Sequence, residues 1–182
     1  EVKKDLDLLI SQIDRSSEIL KRLSLDPNIE DDFIDSNLTL ADYINQIIKS
    51  FRETSKKQFI LNIDQYSNIL NITKSIEIIY GLRNFIGNAN KFSKDKVFIN
   101  IKSNNSISEI IIEDDGEGYT NDVLRKIGEP YIRSDKSSIK SKSGLGLGIF
   151  IGKTLLEKNY ANILCRNSLT RSGAEVSIKW KN

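Results

Sequence analysis

Three polar patterns interrupt a chain of otherwise ordinary apolar and charged residues, and each could handle one part of a nucleotide. In a segment rich in Ile78, Ile79, Leu82, Phe85 and Ile86, the residues Asn84, Asn88 and Lys91 are spaced four and three apart. On a helix this spacing puts them on one face. The Asn88 amide oxygen can take one position on Mg2+, an ion that keeps octahedral oxygen ligation and borrows most of its ligands from water and phosphate. Asn84 and Lys91 would then touch phosphate oxygens, which makes Asn88 and Lys91 the candidate catalytic pair. Taken alone, the stripe fits a solvated helix face better.

The second pattern is Glu113-Asp114-Asp115-Gly116-Glu117-Gly118, placed where an alternating strand pattern ends. Asp115 stands beside Gly116 and Gly118, whose backbone can come close to a flat ligand. A carboxylate there accepts from the adenine amino group and repels the guanine carbonyl, a charge-assisted bond of about 1.5–3 kcal/mol, so Asp115→Ala should weaken ATP binding about 10- to 100-fold. An acidic turn is the plainer alternative. The third pattern, Gly144-Leu145-Gly146-Leu147-Gly148, follows Ser143 and leads into a helix. Its amides can point at phosphates, and the helix N-terminus adds a partial positive charge. A dinucleotide fingerprint would need a strand directly before the glycines and an acid about 20 residues later, whereas here a polar segment precedes.

Elements of both periodicities must position these groups. Leu6, Leu9, Ile13, Ser16, Leu20 and Leu23 alternate by three and four, a coiled-coil seam over residues 1–25. Residues 26–38, with Pro27 and several acids, read as a linker, and 39–182 as the compact domain. Thr39 and Asp42 form a capping-box pattern before a helix carrying Leu40, Tyr43, Ile44, Ile47, Ile48 and Phe51 on one face. Strands are expected at Phe59–Ile63, Ile69–Ile72, Lys96–Lys102 and Ser108–Glu113, with Thr73 capping a helix to about Phe92. A short helix near Asn121–Ile127 follows, then a Ser/Lys-rich lid over Arg133–Ser143, a helix over Leu147–Glu157, and a closing hairpin of Asn162–Arg166 with Ala174–Trp180. The sum is an α+β fold: a two-layer sandwich with a mixed, mainly antiparallel sheet and helices on one face, plus an N-terminal coiled-coil helix.

Composition narrows the partners. Twenty-seven basic and 25 acidic residues leave a net charge of +2, which argues against nucleic acid as a partner. A lone cysteine, Cys165, in an apolar stretch reads as a core thiol in a reducing, cytoplasmic setting. No apolar run reaches the ~20 residues needed to cross a bilayer, and no signal peptide opens the chain. The chain holds no histidine or methionine and starts in mid-helix pattern, the expectation for a piece of a longer protein.

In order, Asn84-x-x-x-Asn88-Ala89-x-Lys91-Phe92, Asp115-Gly116-Glu117-Gly118, Glu129-Pro130-Tyr131-Ile132-Arg133 and Gly144-Leu145-Gly146-Leu147-Gly148 resemble the N, G1, F and G2 boxes of sensor histidine kinases, within the wider GHKL ATPase group. The resemblance implies a Bergerat-type sandwich binding ATP and Mg2+. It would place Asn88 on the metal, Asn84 and Lys91 on the triphosphate, Phe92 along the adenine and Asp115 on its amino group, with Arg133 and Lys142 coming in from the lid once ATP is bound and Tyr131 replacing the F-box phenylalanine that anchors the lid. Hydrolytic members of the group carry a glutamate base where this chain has Asn84, so ATP should be kept for an acceptor nucleophile. Residues 1–25 look like the second helix of a dimerisation and phosphotransfer stem whose first helix, with the acceptor histidine, is missing. The resemblance thus implies a homodimer in the full-length protein, a response-regulator receiver domain as partner, and membrane attachment only through regions outside this chain. Gly128-Glu129-Pro130-Tyr131, Gly148-Ile149-Phe150-Ile151 and Lys153-Thr154-Leu155-Leu156-Glu157 are similar to the Reg/Prr-type redox-responsive kinases. An anti-sigma-type protein-serine kinase shares the boxes but lacks a dimerisation stem, and a non-catalytic dimerising module would not need intact boxes.

Overall fold

The computed structural model describes residues 39–64, 75–130 and 147–182, all within the unit Ser36–Asn182. The stem helix, the linker, the Ile69–Ile72 strand, the Thr73 cap and the Arg133–Ser143 lid lie outside the described residues.

Helix α1, Leu40–Arg52, starts at the expected capping box: Thr39 Oγ1 accepts from the Asp42 amide at 3.2 Å, and Asp42 Oδ2 accepts from the Thr39 amide at 2.6 Å. Satisfying these end donors is worth about 1 kcal/mol. Strand β1, Gln58–Ile63, follows, and then helix α2, Ile76–Phe92, whose cap is Ser75, its Oγ accepting from the Ile78 amide. The sequence pattern pointed two residues earlier, because Thr73 and Ser75 are both good caps and only the start of the buried ladder at Ile78 separates them. Strands β2, Lys96–Ser103, and β3, Ile107–Asp114, form a hairpin around an Asx turn in which Asn104 Oδ1 accepts from Ser106 and Ile107. Helix α3, Asn121–Arg125, and helix α4, Gly148–Lys158, precede the hairpin of β4, Asn162–Asn167, and β5, Ala174–Lys181.

The strands form one sheet in the order β1-β2-β3-β5-β4, parallel only at β1–β2. This is the expected mixed, mainly antiparallel sheet. Alternation along the strands buries Phe59, Val97, Ile99, Ile101, Ile110, Ile112, Val176 and Ile178 against Tyr43, Ile44, Ile78, Leu82, Phe85, Ile86 and Leu156 from the helices. Each such side chain contributes about 1.5–3 kcal/mol on burial. On the opposite face Glu113 stands across from Glu175, and the like charges are offset by Arg171 at 3.4 Å and Arg166 at 2.6 Å.

Helices α2 and α4 approach unusually closely. A Cβ added at Gly81 would stand 2.5 Å from Leu156 Cγ, and one added at Gly152 would stand 2.9 Å from Phe85. Two side-chain-free positions therefore let the backbones meet, and this contact sets how far Asn88 on α2 is from the first turn of α4.

Candidate functional site

Asn88 of the α2 stripe meets the start of α4. Asn88 lies against the first residue of α4: a Cβ at Gly148 would be 3.1 Å from Asn88 Oδ1. Helices α1, α2 and α3 are capped by Thr39, Ser75 and Thr120, but α4 has no side-chain cap at Leu147, which is itself buried. Its first amides are thus suited to an acceptor that the described residues do not supply. One turn before Asn88, Asn84 donates its Nδ2 to the Tyr80 carbonyl at 2.9 Å, which orients its amide along the helix. Lys91 Nζ sits 5.2 Å from the centroid of the Phe92 ring, and Phe92 is half exposed at the end of α2.

The acidic pair divides its work differently from the sequence expectation. Asp115 caps the α2–β2 turn, accepting from the backbone amides of Lys94 at 2.8 Å, Asp95 at 3.0 Å and Lys96 at 3.1 Å. Desolvation by itself would raise its pKa, but the donors at Lys96, Asp95 and Lys94 outweigh it and hold the carboxyl below 3.8. From the other side Lys57 Nζ donates to the carbonyls of Ser93, at 2.8 Å, and Lys94. The turn is held between a cation on its carbonyls and an anion on its amides.

Asp114, the other acid of the pair, faces the helical layer. It continues the parity of Ser108, Ile110 and Ile112 toward the helical layer and is 3% exposed. Its Oδ1 accepts from Gly116 N–H at 2.8 Å and Ala174 N–H at 3.3 Å. A Cβ at Gly116 would collide with the Phe92 carbonyl, and one at Gly173 with Asp114 itself, so glycine is required at both close approaches. Gly118, at φ +74°, turns the loop toward α3. Tyr119 follows, its hydroxyl pushed well above the usual range by burial, with Cys165 and Asp114 adding to the effect. The strand parity was legible in Ser108, Ile110 and Ile112 and could have singled out Asp114; for Lys57 no local pattern exists. Tyr131, Arg133, Lys142, Gly144, Leu145 and Gly146 lie outside the described residues.

Residues 73–182, more than half of the chain, match the family described as histidine kinase-, DNA gyrase B-, and HSP90-like ATPases. The chain belongs to this family. Within this ATPase family, the sensor histidine kinase RegB of Cereibacter sphaeroides is 36% identical over 125 residues, covering 60% of this chain and 27% of RegB. The chain therefore spans little more than a quarter of that relative's length. Among solved structures, the mycobacterial sensor histidine kinase MprB superposes with a TM-score of 0.67 at 19% identity, covering 79% of this chain and 96% of that one. Full-length ShkA in complex with AMPPNP superposes with a TM-score of 0.62 at 20% identity, covering 78% and 30%. These likenesses carry the fold, a two-layer ATPase sandwich.

Proposed function

We propose that this chain is the ATP-binding catalytic portion of a sensor histidine kinase of the RegB type. Its role is to deliver the γ-phosphoryl group of ATP to a histidine outside these residues. The observation that carries the reading is the meeting of Asn88 with the uncapped N-terminus of α4, beside a loop that carries the inward carboxylate Asp114. The ShkA complex with AMPPNP and the identity to RegB support it.

In this reading the adenine amino group donates to Asp114 rather than to Asp115, whose oxygens already serve three amides of its own chain. Phe92, exposed beside Gly116, lines the base, and Tyr131 anchors the lid. Leu147 and Gly148 offer the first amides of α4 to phosphate, continued by Gly144, Leu145 and Gly146, while Asn84, Lys91, Arg133 and Lys142 contact the triphosphate. Among the described residues no group of three or more His, Cys, Asp and Glu could hold a metal ion. Mg2+ would arrive with the nucleotide, with phosphate and water as most of its ligands and the Asn88 oxygen as one. When bound, the ion neutralises charge that builds on the phosphoryl oxygens.

Asn84 stands where hydrolytic members of the group have a glutamate base, and an amide cannot take a proton from water. ATP would persist until the acceptor arrives. Since no residue of the chain is histidine, the chain alone should not become phosphorylated on histidine. The stem over residues 1–25, dimerisation, a receiver-domain partner and membrane attachment belong to the whole protein in this proposal; among the described residues no helix is long and apolar enough to cross a membrane. Titration of the chain with ATP, with and without magnesium, tests the reading. Saturable, magnesium-strengthened binding is expected, and absence of binding in both conditions would sink it.

A further inference from the structure

We propose that Asn167, at the end of β4, is a positioning residue that holds the Asp114–Tyr119 loop and through it sets nucleotide affinity. The inference rests on the nucleotide reading above.

The loop has to present the Asp114 carboxylate and the Gly116 backbone at a fixed height, yet residues 115–120 form neither helix nor strand and include Gly116 and Gly118. Two glycines in a short link make its ordering costly. The entry is tied by the Asp114 bond to Gly116 N–H. The exit is tied by Asn167: Tyr119 N–H donates to Asn167 Oδ1 at 2.6 Å, and Asn167 Nδ2 donates to the Tyr119 carbonyl at 3.0 Å.

An amide is suited to this task because it carries an acceptor and a donor in one plane, the complement of a residue's own N–H and C=O. Asn167 thus pairs with Tyr119 as a neighbouring strand would, using its side chain. A Cβ at Gly118 would stand 2.6 Å from Asn167 Oδ1, so the close pairing also requires the glycine before Tyr119. Asn167 is the register partner of Ala174, and Ala174 N–H reaches Asp114 Oδ1 at 3.3 Å. One cross-strand pair of the β4–β5 hairpin therefore grips both ends of the loop. Asn167 itself is exposed, so removing its amide should leave the core in place.

The test uses the 182-residue chain and its Asn167→Ala and Asn167→Asp variants, titrated with Mg-ATP and separately with magnesium tripolyphosphate, which lacks the base. Losing two hydrogen bonds should raise the ATP Kd of Asn167→Ala about 10-fold. Tripolyphosphate affinity should change less than about 2-fold, since no base contact is involved. Asn167→Asp keeps the acceptor for Tyr119 N–H but opposes a carboxylate to its carbonyl, and should bind ATP no better than the alanine variant. Hydrogen exchange at Gly118 and Tyr119 should quicken in Asn167→Ala while β3 and β5 stay protected. Wild-type ATP affinity in Asn167→Ala, or equal loss toward ATP and tripolyphosphate, overturns the inference. A wild-type chain that binds neither ligand overturns the nucleotide reading and this inference with it.

Discussion

The two adjacent aspartates offer a sharp separation of fold from ligand binding, through the replacement Asp115→Asn. In the wild type, two carboxylate oxygens serve the amides of Lys94, Asp95 and Lys96. The variant keeps one oxygen, loses the charge, and turns an NH2 toward groups that are themselves donors. Exchanging charge-assisted bonds of about 1.5–3 kcal/mol for neutral ones of about 0.5–1.5 kcal/mol, discounted because the site is partly solvated, leaves about 1–2 kcal/mol of lost stability at neutral pH. For a domain of this size that lowers Tm by about 2–4 °C per kcal/mol. The sign with pH follows from the depressed folded pKa: unfolded Asp115 binds a proton before folded Asp115 does, so its contribution is present above 3.8 and lost as pH falls through the lower folded value. The gap between wild type and variant should therefore be full at pH 7 and close in strong acid. ATP affinity should fall less than about 3-fold, whereas Asp114→Asn should cost about 10- to 100-fold, the worth of one charge-assisted bond. Thermal melts across pH and nucleotide titrations of both variants measure this. An Asp115→Asn chain that melts like wild type but loses ATP would refute the assignment of the two roles.

Gly81, Cys165 and Tyr160 carry the remaining outcomes. Gly81→Ala forces a methyl to within 2.5 Å of Leu156 Cγ, and overpacking of about 1–3 kcal/mol should outweigh the ~1 kcal/mol helix gain, lowering Tm. Because the same contact spaces Asn88 from Gly148, ATP binding should weaken as well. Burial pushes the Cys165 thiol up to about 11, with Lys153 lowering it less and Glu157 raising it, so alkylation should be slow in the native chain at pH 7.5 and rapid in urea. A folded pKa above the unfolded value also means that stability falls as pH rises from 9 toward 11, measurable by denaturant titration. Tyr160 is fully displayed to solvent at φ +62°, and Tyr160→Gly should raise stability by about 0.5–1 kcal/mol, read as a higher melting temperature.

Local signals announce most of the described helices and strands, because capping and burial parity act within a few residues. Thr39 with Asp42, the apolar face of α2 and the alternation in β2 and β3 all form as read, and the order of the boxes points to the ATPase family before any coordinates. Contacts between residues far apart in sequence carry no such signature. The three amides that Asp115 caps lie 19 to 21 residues upstream of it, and nothing near Asp115 in the sequence announces them. The grip of Asn167 on Tyr119 spans 48 residues, and the parallel placement of β1 beside β2 depends on the helix packed between them in sequence. Residue types and strand parity announce a nucleotide-handling chemistry and an inward Asp114, but only folding brings distant backbone amides onto Asp115, because such donors are a property of the assembled layers.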